Sequence, residues 1–165
     1  MQRIQNMTTT TSLLPEELLV AAYAHERREK QRYRMLALRF QPFDAVTHRL
    51  LQMLAEECEQ RFDALARAAE RLDLCGSPCS LATEEPLAKA RHFFIVDERM
   101  AAQLLTRTVI DEHRSLAFYR QLADANALPQ LYKLLAGFIH QKQAQIRILE
   151  EAQSQAPTLA YRHIA

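Results

Sequence analysis

Two glycines in 165 residues leave this chain few ways to fold. An average protein carries about 7% glycine, and β-hairpin turns, dinucleotide-binding turns and phosphate-binding loops all spend it on positive φ. With that residue nearly absent, helices must carry almost everything. The length fits one domain, large enough to bury a core without disulfide or metal support. Its 21 basic and 20 acidic residues leave a formal charge of +1, so no cationic surplus selects for nucleic acid or an anionic membrane. No apolar run approaches the ~20 residues that a membrane-spanning helix requires.

Proline marks where the helices begin. Pro15, Pro42 and Pro129 each precede a long segment of apolar periodicity, the favoured place for proline in a first helical turn. Helices are expected over 14–40, 43–73, 97–125 and 129–153, with Asp97 as the N-cap of the third. Short links around Gln41–Pro42 and Asn126–Leu128 make antiparallel neighbours of helices one and two and of helices three and four. A long connection from Leu74 to Val96, with a short helix in Pro86–Phe94, separates the pairs. The expected fold is therefore all-α, a four-helix bundle of two antiparallel hairpins joined by a long crossover. Residues 13–155 form it; residues 1–12 read as a disordered lead rather than a secretory signal, and 156–165 as a tail. Three cysteines, Cys58, Cys75 and Cys79, suggest reduced thiols and a cytoplasmic protein, with Cys75 and Cys79 as free thiols of a CGSPC turn.

The hairpins repeat one another. Glu26, Arg28, Tyr33, Arg34, Leu36 and Ala37 recur at one offset as Glu112, Arg114, Tyr119, Arg120, Leu122 and Ala123. Helices two and four repeat more weakly, with Leu54, Ala55 and Gln60 returning as Leu135, Ala136 and Gln141. The inward stripes of these helices carry charge at mid-length. Helix one places Glu26 and Glu29 between Leu19, Ala22 and Tyr33, Phe40; helix three places Glu112 between Leu105 and Tyr119. Helix two reads Leu51, Leu54, Cys58, Arg61, Leu65, Ala68, Leu72, and helix four Tyr132, Leu135, Ile139, Lys142, Ile146, Leu149. Charges in a bundle interior are costly unless paired or metal-bound, so carboxylates and cations at similar depth predict a buried polar layer.

The run from Ala24 to Tyr33 resembles the first-helix motif of the rubrerythrin and ferritin-like superfamily, where glutamate is followed seven residues later by tyrosine. Glu112 and Tyr119 match the same motif in helix three. The resemblance implies a ferritin-like bundle. In that family, glutamates on helices one and three join Glu-x-x-His motifs on helices two and four to hold two metal ions. This chain departs from the pattern there. The helix-two slot reads Cys58-Glu59-Gln60-Arg61 and the helix-four slot Ile139-His140-Gln141-Lys142, with a cation in place of each histidine. Guanidinium and ammonium groups offer donors and no lone pair. They can instead neutralise Glu26 and Glu112 where metal cations would sit.

Glu26, Arg61, Glu112 and Lys142, with Tyr33 and Tyr119, are thus expected to form internal ion pairs in place of a di-metal centre, with no catalytic residue and no cofactor. The chain then reads as a non-catalytic scaffold or interaction protein. The alternative is a rubrerythrin-like oxidoreductase using iron or manganese on Glu26, Glu29, Glu57, Glu112 and His140. That set requires a one-residue shift, which rotates an apolar stripe by about 100°. His25 and His113, next to the glutamates, read as exposed helix positions. Arg27, Arg28, Arg32, Arg34 and Arg39 read as a solvated, salt-bridged face rather than an RNA-binding one. The apolar His92-Phe93-Phe94-Ile95-Val96 segment is the candidate seam of a homodimer.

Overall fold

A computed structural model describes residues 12–74 and 93–155, and these contain four long helices and no strand beyond one isolated bridge. Helix α1 spans Pro15–Phe40, α2 Ala45–Arg71, α3 Glu98–Ala125 and α4 Pro129–Gln155. Cys75, Cys79, the lead as far as residue 11, the tail from 156 and most of the expected Pro86–Phe94 helix lie outside the described residues. No described helix is long and apolar enough to cross a membrane.

Local chemistry fixes the helix ends. Pro15 opens α1, and the Glu17 carboxylate accepts from the Leu14 backbone N–H at 3.0 Å. Helix α2 starts two residues later than Pro42 suggests, because Asp44 is its N-cap and accepts from Val46 N–H at 3.0 Å. Asp97 caps α3 by accepting from Met100 N–H at 2.7 Å. At the end of α2 the chain turns through Asp73, at φ 50°. The Asp73 and Leu74 N–H groups then reach back to the Glu70 and Ala69 carbonyls at 3.1 and 3.2 Å.

Helices α1 and α2 pack along their length, as do α3 and α4; across the hairpins α1 faces α3 and α2 faces α4. Ile95 N–H donates to the Arg39 carbonyl and Leu13 N–H to that of Ala125, each at 3.1 Å. Helix α3 therefore begins beside the end of α1 and ends beside its start, so the two run antiparallel.

The core is split in two. At one end Ala37, Phe40, Leu51, Leu54, Leu105 and Leu149 form an apolar cluster. At the other, Leu18, Leu19, Leu65, Ala68, Leu122, Leu131 and Phe138 form a second. Between them every helix turns a charged side chain inward: Glu26 and Glu29 from α1, Arg61 from α2, Glu112 from α3 and Lys142 from α4.

The α4 stripe differs from the sequence expectation at two positions. Leu131 and Phe138 are buried where Tyr132 and Ile139 were expected, and Tyr132 is 52% exposed. Three-and-four spacing from Lys142 reaches 138 or 139 equally well; packing selects Phe138, whose ring stands edge-on to Tyr119 of α3 with centroids 5.4 Å apart.

Candidate functional site

Each buried carboxylate would be costly alone, and each has donors. Arg61 Nε lies 2.8 Å from Glu26 Oε2. Lys142 Nζ lies 3.3 Å from Glu112 Oε2 and 3.8 Å from Glu29 Oε2. The Arg61–Glu26 and Lys142–Glu112 pairs join neighbours within a hairpin, whereas Lys142–Glu29 reaches from one hairpin to the other. The tyrosines cross between hairpins: Tyr119 of α3 donates to Glu26 Oε1 at 2.5 Å, and Tyr33 of α1 donates to Glu112 Oε1. The sequence repeat thus becomes a pseudo-twofold exchange, in which each hairpin supplies a glutamate and takes the other's tyrosine.

The exchange is not symmetric. Opposite Glu29 in the repeat stands Ser115, so the Glu112 half carries an additional carboxylate. Arg32 answers it, bonding Glu29 Oε2 at 2.5 Å and Glu112 Oε1 at 2.9 Å. It also approaches Asp111 Oδ2 at 3.6 Å. Arg32 belongs to this layer and not to a solvated arginine face. Its spacing from Glu29 is the sequence signal: i and i+3 share one helix face. Counting Arg32, three inward cations face three inward carboxylates.

Ser115 has a different partner. His25 Nε2 and Ser115 Oγ lie 2.7 Å apart, and the imidazole stacks on Phe118 with ring centroids separated by 4.1 Å. His25 is therefore packed between α1 and α3 rather than exposed, because its Cβ direction falls in the groove beside α3. Burial lowers its pKa from 6.5 to about 4, against the opposing pull of Glu26. His113 is exposed, as its position outside the stripe predicts.

Burial also acts on the other members. It pushes the Glu26 carboxyl up, but Lys142, Arg61 and the Tyr119 hydrogen bond outweigh it and hold the group below the ordinary carboxylate range. Burial and the adjacent Glu112 raise Tyr33 well above the usual phenol value, and burial with Glu26 does the same to Tyr119. Burial and Glu26 push the Cys58 thiol to about 12, and Arg61 donates to its sulfur at 3.3 Å. A thiol held neutral in this way is a packing group rather than a nucleophile.

The residues of the alternative metal set do not converge. Glu26, Glu29 and Glu112 lie in the layer, but His140 is exposed on the outer face of α4. It is two residues, or about 200°, from the inward Lys142. Glu57 sits at the edge of the layer with its side chain 38% exposed. It accepts from Gln145 and lies 3.8 Å from Arg61. Among the described residues, no group of three or more His, Cys, Asp or Glu side chains is arranged to hold a metal ion. Two guanidinium groups and an ammonium occupy the carboxylates, so the donor chemistry present does not fit iron or manganese. The chemical capacity of the layer is to bind charge to charge and to fix how the hairpins dock. Comparisons with protein-family models, with curated proteins and with solved structures returned no match.

Proposed function

We propose that this chain is a ferritin-like bundle in which internal ion pairs stand where relatives would hold two metal ions, and that it acts as a non-catalytic scaffold or interaction protein. The observation that carries this reading is the neutralisation of Glu26 and Glu112, whose Oε2 atoms are each met by a cation's charge without a hydrogen bond among the described residues. Each carboxylate already receives a tyrosine hydroxyl and a buried cation, Arg61 at 2.8 Å and Lys142 at 3.3 Å. The antiparallel course of α3 beside α1 and the glutamate–tyrosine repeat support the ferritin-like assignment. Exposed Phe94 and Val96 supply apolar surface for a homodimer.

Thermal melting with and without added manganese or ferrous ions tests the reading. A ligand that binds only the folded state raises the melting temperature in proportion to its affinity. The expected result is no rise with either ion and no fall with chelator. A metal-dependent rise abolished by Glu112→Gln overturns the reading in favour of a metal-dependent oxidoreductase.

A further inference from the structure

The outer face of the first hairpin holds a cleft of about 600 Å³ between α1 and α2, remote from the interior layer in its chemistry. Its volume falls in the range of small-ligand sites, about 300–1,000 Å³. Tyr23 and Phe62 form its aromatic part, with ring centroids 4.6 Å apart and planes tilted by 52°. Arg27, Lys30 and Arg34 line it against Glu59 and Asp63.

The charges are committed unequally. Glu59 receives both Lys30 and Arg34, the latter at 3.2 Å, and the Lys30 ammonium also lies 5.7 Å from the Phe62 ring centre. Arg27 and Asp63 have no ion-pair partner among the described residues. An uncommitted guanidinium, an uncommitted carboxylate and a pair of rings therefore share one concavity. The cleft carries one more cation than anion, which favours a net anionic guest over a zwitterion.

We propose that this cleft binds a nucleoside monophosphate. Its phosphate takes the Arg27 fork, whose planar donors match phosphate oxygens. Its sugar hydroxyls donate to Asp63, and its base packs on Phe62 and Tyr23, since any base offers a π-face for stacking. The proposal is independent of the metal question, because none of these side chains belongs to the interior layer.

Calorimetric titration of the full chain with adenosine 5′-monophosphate, inorganic phosphate and adenosine tests it. Saturable binding of the nucleotide is expected, with phosphate and adenosine each weaker by about tenfold or more, the usual worth of one charge-assisted hydrogen bond. Arg27→Ala and Phe62→Leu should each weaken the nucleotide by at least about tenfold, while Arg107→Ala on α3 leaves it unchanged. Arg27 has no partner to strand and Phe62→Leu keeps apolar volume, so both variants retain the fold, checked by circular dichroism. Absence of saturable binding overturns the proposal, as do equal affinities for nucleotide and phosphate or equal losses in Arg107→Ala.

Discussion

At the scale of the residue, the structure turns on stranding. Arg61 and Lys142 are fully buried, and each neutralises a fully buried glutamate. Removing one partner leaves an uncompensated charge, whereas replacing both by apolar groups of similar volume is far milder. Arg61→Ala and Lys142→Ala are each expected to cost about 3–5 kcal/mol in urea unfolding. The double variant Lys142→Met, Glu112→Gln should recover part of the loss. A single-variant cost below about 0.5 kcal/mol, the size of an ordinary surface substitution, contradicts the buried pairing.

His25 makes a second prediction at this scale. Its folded pKa of about 4 lies below the ordinary 6.5, so the unfolded chain binds its proton more readily. The stability it contributes is complete above 6.5 and is lost as pH falls through that window toward 4. The loss amounts to about 3 kcal/mol, and stability measured across the window should be markedly flatter in His25→Asn. An unchanged slope in that variant shows the ring to be solvated.

At the scale of the element, the helix ends and faces follow local rules closely enough to be written from the sequence. Prolines, the Asp97 cap and the repeated glutamate–tyrosine spacing mark three of the four helix starts and the charged rungs of α1 and α3. At two places the local solutions are nearly equal and the sequence does not choose between them. Pro42 and Asp44 both signal a start, and the cap wins because its carboxylate satisfies an orphan backbone donor. Tyr132 and Leu131 both fit a three-and-four stripe, and only the neighbouring helix chooses between them. Gly137 tests the same local logic. It sits inside α4 with nothing within 4 Å of where a Cβ would stand. Gly137→Ala should therefore stabilise the chain by about 0.5–1 kcal/mol, through helix propensity alone. Destabilisation in thermal or urea unfolding would place an unseen contact there.

At the scale of the whole molecule, neither hairpin owns a core. Both apolar clusters draw on all four helices, and both tyrosine–glutamate bonds pass from one hairpin to the other. Unfolding is therefore expected as one transition, with the near-ultraviolet tyrosine signal and far-ultraviolet helix signal coincident. Two separated transitions would show that the hairpins fold apart. The composition of the layer was legible from heptad positions, since a buried charge announces itself on an apolar stripe. Its wiring was not. The crossing of Tyr33 to Glu112 and Tyr119 to Glu26 and the His25–Ser115 contact depend on how one hairpin meets the other, and no periodicity within a helix encodes that.

If Arg61 and Lys142 stand in for metal beside Glu26 and Glu112, as proposed, elemental analysis will find the protein metal-free. The protein should be produced in medium supplied with iron and manganese and purified without chelator. Far less than one ion of either metal per chain is expected. About two ions per chain, retained through dialysis and lost in Glu26→Gln or Glu112→Gln, would show instead that these carboxylates hold metal.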